Sequence, residues 1–368
     1  MKTPYYVIHK KIFDRNCEDI MGSFRKEWGD NVSCGYSVKT NNAPQMLQLA
    51  YNKGLYAEVV SEQEYESAKE AGFADERILY NGPVKGNTKY SACIGGAKIN
   101  LDNLTEVDEM VSFLREHPDK DVHLGLRINF DLESLVPGET STGNRVGRFG
   151  ICYENGDLEK AIALLTENEI SLEGLHIHFT TRTRSIAVFE AIARKMCEVK
   201  KRFGLNLKYI DIGGGFWGGR ALEGKPTMQQ YAEAIVPILK EEFTTEVELI
   251  VEPGSAMSAT VMDYVTTVVS VKDIRDTRIV VVDGSSLHIN PFMNSRQQTA
   301  VLPESKLDYV AVQEICGATC LEHDRFMVLK NEREVQTGSR IIFTNAGAYT
   351  VSLVSDFILP KPSIYVVD

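Results

Sequence analysis

The sequence predicts an α/β fold: a parallel (β/α)8 TIM barrel followed by a β-rich, β-barrel-like C-terminal domain. Three observations point there. Between residues 32 and 252, eight apolar, β-branched runs alternate with stretches of helical period. From about residue 256 the helical signals thin out, and strand-like runs separated by polar turns take over. Reactive side chains fall at the carboxyl ends of six of these eight runs, the face on which parallel barrels carry their chemistry.

The eight strand candidates cover residues 32–38, 55–60, 77–81, 97–102, 122–129, 172–178, 207–213 and 247–252. Helical segments at 61–71, 105–117, 156–169, 185–203 and 227–243 fall between them. Ser61 and Glu64 open the first of these with capping-box spacing. Repeated alternation argues for a closed barrel, although the count is compatible with an open sheet as well. The later runs at 260–272, 278–283, 308–314, 325–330, 340–344 and 363–367 read as strands, completed by the strand-like 5–9. The expected division is therefore 28–256 for the barrel and 1–27 with 257–368 for the β-rich domain. A loop at 137–148, rich in Gly, Ser and Thr, follows a strand and is placed to cover a site.

A length of 368 residues suits one large domain and one smaller one, and 43% apolar with 25% charged residues is ordinary globular composition. The net charge of −11 argues against nucleic acid or an anionic membrane as partner, since both call for a basic surface. No apolar run reaches the length of a membrane span, and residues 1–11 lack the apolar stretch of a signal peptide. The seven cysteines are odd in number and scattered; they read as reduced thiols and suggest the cytoplasm.

The chemistry lies at the strand ends. The first strand ends in Tyr36-Ser37-Val38-Lys39, the second in Glu58 with Ser61 and Glu64 beyond, and the fifth carries Arg127. The sixth ends in His176-Ile177-His178, the seventh in Asp211-Ile212-Gly213-Gly214-Gly215, and the eighth in Glu252-Pro253-Gly254. Three glycines let a backbone approach an anion and aim N–H groups at it, and barrels often bind phosphate after strands seven and eight. A flexible turn is the alternative. Lys39 alone would read as a solvated lysine. Beside a phosphate site, however, its amine can hold pyridoxal 5'-phosphate as a Schiff base, with the cofactor as electron sink. Glu252 then supplies the carboxylate that keeps the pyridine nitrogen protonated, a structural salt bridge being the alternative. His176 and His178 share one face of a strand. Such a pair can bind a metal, but His9, His117, His123, His288 and His323 fall at no other strand's carboxyl end. No metal is therefore expected, and His178 is the better candidate for stacking on a cofactor ring.

In this order the residues resemble the fold-type III pyridoxal-phosphate decarboxylases, the group of diaminopimelate and eukaryotic-type ornithine decarboxylases. Tyr36-Ser37-Val38-Lys39-Thr40-Asn41 is similar to the cofactor-lysine motif, and Glu58-Val59-Val60-Ser61 with Glu64 to the segment behind the cofactor. Gly174-Leu175-His176-Ile177-His178 resembles the motif whose last histidine stacks on the ring. Gly213-Gly214-Gly215-Phe216 resembles the phosphate loop, and Glu252-Pro253-Gly254 the pyridine-nitrogen partner with its adjacent phosphate contact. In the second domain, Cys316-Gly317-Ala318-Thr319-Cys320 with Asp324 resembles the stretch that enters the partner subunit's site. Gly347-Ala348-Tyr349 resembles the motif whose tyrosine contacts phosphate.

The resemblance implies an alanine-racemase-like barrel, pyridoxal 5'-phosphate as cofactor, and a head-to-tail homodimer with shared active sites. The implied reaction is decarboxylation of a small-molecule amino acid. Lys39, His178 and Cys320 are the expected catalytic residues, Cys320 protonating the substrate's α-carbon in its neighbour. Core packing is the alternative for that cysteine; a metal or a disulfide with Cys316 lacks a second thiol pair. Expected cofactor contacts are Lys39, Glu58, Arg127, His178, Thr181, Gly213, Gly214, Gly215, Glu252, Gly254, Ser255 and Tyr349.

The chain departs from that family where substrate is read. Ser255 stands where Arg usually follows Glu-Pro-Gly, and Leu321 where an acidic residue follows the cysteine. Asn290 precedes Pro291 where diaminopimelate decarboxylases carry Arg, and Thr180-Thr181 replaces the usual Gly-Ser. Substrate contacts are expected from Asn290, Leu321 and Asp324. Arg182 and Arg184 are candidates for binding an extra carboxylate, a solvated loop being their alternative. Leu321 disfavours a free diamino acid and suggests a conjugated amino acid of polyamine, siderophore or antibiotic assembly. Racemisation and a non-catalytic regulatory role compete with decarboxylation. Glu252 argues against the first, and the retained lysine, glycines and cysteine against the second.

Overall fold

The computed structural model describes residues 1–143, 145–294 and 298–368 of the chain. It divides into two compact units, Asp14–Met257 and the combination of Met1–Phe13 with Ser258–Asp368. The first strand, β1 (Tyr5–His9), belongs with the later residues, and the boundary falls inside α1 (Lys10–Trp28) at Asp14, where residue 28 had been expected. Most of α1 belongs with the larger unit because its apolar side chains pack there. Phe24 meets the Phe216 ring at 5.8 Å, and the Trp28 indole donates to the Val247 carbonyl at 3.1 Å.

The larger unit is a closed parallel barrel. After α1 come β2 (Val32–Ser37), α2 (Pro44–Asn52), β3 (Tyr56–Val59), α3 (Glu62–Glu70), β4 (Ile78–Tyr80) and α4 (Thr88–Ile94). Next are β5 (Lys98–Leu101), α5 (Leu104–Arg115), β6 (His123–Asn129), α6 (Leu132–Leu135), β7 (Ile151–Cys152), α7 (Asp157–Glu167) and β8 (Leu172–His176). The unit ends with α8 (Ile186–Phe203), β9 (Tyr209–Asp211), α9 (Met228–Leu239) and β10 (Glu248–Val251). The strands follow one another in the order β5-β4-β3-β2-β10-β9-β8-β6, and pairing of Lys98 with His123 between β5 and β6 closes the ring. The short β7 is an outlying partner of β6. Sequence periodicity singled out neither α1, α2 nor α4; α4 spans only seven residues, too few to show a helical repeat.

Strands buried on both faces explain the continuous apolar runs: Ile78, Leu79, Leu124, Leu126, Ile210 and Ile250 are all fully buried. The barrel interior also carries large side chains, which need glycine opposite them. A β-carbon at Gly174 would lie 2.0 Å from the Tyr209 ring, so only glycine fits there. Near the amino ends of the strands, Lys98 bonds the Tyr56 hydroxyl at 2.8 Å and pairs with Glu248 at 3.2 Å. At α3, Ser61 Oγ accepts the Glu64 N–H as its spacing predicted, while the Glu64 carboxylate reaches back to the N–H of Val60. The full reciprocal capping box is found at α9 instead, between Thr227 and Gln230.

The smaller unit is a β domain. It holds the four-residue α10 (Ser255–Ser258) only by its last residue, then β11 (Met262–Ile274), β12 (Thr277–Val282), β13 (Ala300–Val301), β14 (Tyr309–Cys316), β15 (Arg325–Arg333), β16 (Arg340–Phe343) and β17 (Ser363–Val367). The strand order is β13-β16-β11-β12-β14-β15, with β1 antiparallel to β11 and parallel to β17. Its core stacks Phe326 on Phe343 at 4.1 Å, with Tyr264 beside both. Among the described residues no helix is long and apolar enough to cross a membrane.

Candidate active site

Several of the barrel strands stop one or two residues short of the reactive side chains, which therefore sit in the first backbone beyond the sheet. Lys39 lies in a single turn of 3-10 helix (Val38–Thr40) after β2. The Tyr36 hydroxyl donates to the Asn41 carbonyl at 2.6 Å and pins that turn. The Lys39 amine is paired with Glu58, a buried carboxylate at the end of β3. Behind them Glu64 is pushed up to about 7 by burial and then by the charge of Glu58.

Asn81, which sequence reasoning missed, links the two central carboxylates. Its amide donates to Glu252 Oε1 at 2.5 Å and to Glu58 Oε1 at 3.3 Å, and its oxygen accepts from Asn100 at 2.8 Å. The only signal available was its position, at the carboxyl end of the third strand. Arg127 is buried on the same face, 3.4 Å from Asp102 and over the Phe149 ring.

Glu252 follows β10 directly and is almost fully buried. Burial opposes its ionisation, but the polar contact with His176 and the charge of Lys39 outweigh that and hold its carboxyl below the usual range. Asp211 shows the opposite outcome. Its Oδ1 accepts the N–H of Gly213 at 2.9 Å, while burial and the charge of Glu252 raise its carboxyl well above the ordinary value. Asp211, Glu252 and His176 bring their polar atoms within 4.8 Å of one another. Two carboxylates that close cannot both ionise in a buried site, so Asp211 carries the proton and Glu252 the charge. His176, buried 3.6 Å from Glu252, stays neutral for want of solvent.

This assignment makes a prediction. Asp211→Asn, a permanently neutral isostere, keeps the fold, whereas Asp211→Leu loses the bond to Gly213. Because the folded protein retains a proton that the unfolded chain has released, Asp211 stability is greatest at acid pH and falls as pH rises. Asn cannot titrate, so the thermal midpoint of Asp211→Asn should gain on the parent from pH 5 to pH 8. A gap independent of pH would show Asp211 to be ionised.

The glycine loop is bent by φ values of 65° at Gly213 and 99° at Gly215, a region open to glycine and costly for other residues. At Gly214 the reason is space: a β-carbon there would sit 1.8 Å from the Glu252 carbonyl oxygen. Two of the loop's N–H groups have partners within the barrel. The Gly213 N–H is taken by Asp211, and the Gly214 N–H donates to His178 Nδ1 at 3.0 Å. That second bond sets the His178 tautomer, and burial pushes its imidazole down to about 3, so the ring is neutral. Gly254, with φ of 43°, and Ser255 lie just beyond Glu252.

A buried anion with an amide beside it, an amine at a neighbouring strand end, a neutral imidazole and a glycine cradle are the groups pyridoxal 5'-phosphate requires. The comparisons agree. A family model described as the pyridoxal binding domain of pyridoxal-dependent decarboxylases matches residues 15–259. The chain belongs to that family.

It is a pyridoxal-phosphate-dependent amino-acid decarboxylase. The diaminopimelate decarboxylase of Archaeoglobus fulgidus is 27% identical over 366 residues, covering 96% of this chain and 85% of that one. The probable chloroplastic diaminopimelate decarboxylase of Oryza sativa subsp. japonica is 29% identical over 378 residues, covering 100% of this chain and 75% of that one. Among solved structures, the M. jannaschii diaminopimelate decarboxylase in complex with L-lysine has a TM-score of 0.86 at 23% identity, covering 99% of this chain and 87% of that one. The Paramecium bursaria Chlorella virus arginine decarboxylase has a TM-score of 0.82 at 21% identity, covering 100% and 96%. At such identities the structural likeness shows the shared fold.

Within this decarboxylase, Asp324 and Asn290 make hydrogen bonds inside their own turns. Asp324 is buried, and its carboxylate accepts the Ser286 N–H at 2.7 Å, the Thr319 N–H at 3.1 Å and the Thr319 hydroxyl at 2.6 Å. It builds the turn after Cys316. Asn290 is likewise committed, closing its own loop through Asn294 at 2.8 Å and 3.2 Å. Cys320 is an exposed free thiol, Leu321 is half-buried, and Tyr349 is exposed with φ of 55°. The loop 137–148, of which Asn144 lies outside the described residues, pairs Thr140 with Thr181 in an isolated bridge. Arg182 is exposed, and its N–H donates to the Glu139 carbonyl at 2.7 Å.

Proposed function

We propose that this decarboxylase acts on an amino acid whose far end is conjugated, in place of a free diamino acid such as those its relatives' names denote. The observation that carries the reading is the turn after Cys320. Leu321 is aliphatic, Asp324 is saturated by bonds within the turn, and Glu322 is paired with Arg325 at 3.1 Å. A distal ammonium group would find no uncommitted carboxylate among these residues, and desolvating it without one is costly.

When bound, pyridoxal 5'-phosphate draws off the electron pair left at the α-carbon as carbon dioxide departs. In the proposed site Lys39 is the residue that attaches the cofactor's aldehyde, and Glu58 holds its amine in place. Glu252, kept anionic, stabilises a proton on the pyridine nitrogen and so favours decarboxylation over racemisation. His178 presents an uncharged ring face. Gly215, Gly254 and Ser255 are assigned to the phosphate end. Cys320 is assigned to proton donation at the α-carbon in the site of a second copy, which makes the working unit a homodimer.

Carbon dioxide release tests the substrate assignment. With meso-diaminopimelate, lysine, ornithine and arginine set against amide- or alkyl-conjugated forms at the distal nitrogen, conjugates should show kcat/KM higher by about tenfold or more, the effect of one unpaired buried polar group. Equal or better turnover of a free diamino acid would sink the proposal. Exchange of the α-proton without gas would instead indicate racemisation.

A further inference from the structure

The loop that follows β8 holds an arginine in a conformation its sequence does not favour. Arg184 has φ of 56°, the left-handed region in which a β-carbon is crowded. Surrounding contacts impose it. The Arg184 carbonyl accepts the Tyr231 hydroxyl at 2.5 Å, and its guanidinium lies 4.7 Å over the Trp217 ring. Trp217 is itself tied to the same loop, its indole donating to the Thr183 carbonyl at 2.7 Å. The backbone thus turns Arg184 inward, while Arg182 stays exposed.

Where the guanidinium ends is informative. Its Nη1 donates to the carbonyl of Phe216 and to Ser255 Oγ, each at 3.1 Å. Phe216 directly follows the bent Gly213–Gly215 segment, and Ser255 directly follows Gly254. Arg184 therefore bridges the two glycine-containing segments beyond β9 and β10. With the Gly213 and Gly214 N–H groups already taken, what those segments can offer is neutral, while the ligand group carries close to two negative charges. A planar, permanently charged guanidinium is suited to such a group, and charge-assisted bonds are about twice as strong as neutral ones.

We propose that Arg184 is the cationic contact for the phosphate of pyridoxal 5'-phosphate, delivered from the loop after β8. The proposal rests on reading the two glycine segments as the phosphate cradle. It makes Arg184 a determinant of cofactor affinity and takes it out of the substrate-binding set.

The experiment compares two cofactors that differ only in the phosphate. Apo-protein is titrated with pyridoxal 5'-phosphate and with pyridoxal, for the parent, Arg184→Gln and Arg184→Lys, following the absorption of the bound cofactor. Arg184→Gln should weaken pyridoxal 5'-phosphate by roughly 10- to 100-fold, the range of one hydrogen bond to a charged group. Pyridoxal affinity should change by no more than about twofold, and Arg184→Lys should recover part of the loss. Equal weakening of both cofactors would mark Arg184 as a purely structural residue and overturn the proposal. Unchanged cofactor affinity with a raised KM for the amino acid would give the guanidinium to a substrate carboxylate, and would overturn it too. A parent that binds pyridoxal as tightly as its phosphate would refute the cradle itself, a separate failure.

Discussion

Lys39→Ala should abolish the visible absorption of bound cofactor and lower kcat by about three orders of magnitude or more, as removal of a covalent anchor does. The geometry explains the expected size. The Lys39 amine is paired with Glu58, and its charge contributes to holding Glu252 ionised. Alanine removes the covalent attachment and leaves Glu58 buried beside Asn81 without its cation, so some loss of stability should accompany the loss of activity. Lys39→Arg separates the two effects. It retains a charge for Glu58 but has no amine that can condense with an aldehyde, so the variant should be well folded and inactive. An absorption spectrum unchanged in Lys39→Ala would overturn the assignment of the cofactor site.

Glu252→Gln should lower kcat by roughly 10²–10³-fold, the range seen when one preorganised charge is taken from a buried site. Glutamine preserves the volume and can still bond Asn81, so the fold should survive. What disappears is the anion that stabilises the proton on the pyridine nitrogen. The substitution also removes the charge that, after burial, keeps Asp211 protonated. Single-turnover measurement of carbon dioxide release isolates the chemical step from product release. Retention of activity within about threefold of the parent would contradict an electrostatic role of this magnitude.

Much of this site was legible along the chain. Lys39, His178, the glycines and Glu252 each stand at or just beyond a strand end, and strand ends can be located from apolar runs alone. Residue type and local position pointed to the barrel and the cofactor, and the resemblance to the fold-type III decarboxylases to the reaction class. The exact strand ends were less legible: β8 stops at His176 and β10 at Val251, because strand pairing and not hydrophobicity sets where a ladder finishes.

Other features depend on which distant residues the barrel brings together, and no local pattern encodes that. Asn81 reads as an ordinary polar residue until closure sets it between Glu58 and Glu252. Asp324 reads as an ordinary acid until the turn it supports bonds both its oxygens. Two of the three glycine amides serve Asp211 and His178. Ser255 read as a lost charge, whereas the fold lays the guanidinium of Arg184 on its hydroxyl across 71 residues of sequence.

The sequence alone, then, placed the lysine, the glycines and the carboxylate at strand ends and carried the family resemblance, since strand-end chemistry is local. Only the tertiary structure decided which of two neighbouring acids keeps the proton and which arginine turns inward. Burial and separation through space govern both, and they exist only once the barrel has closed.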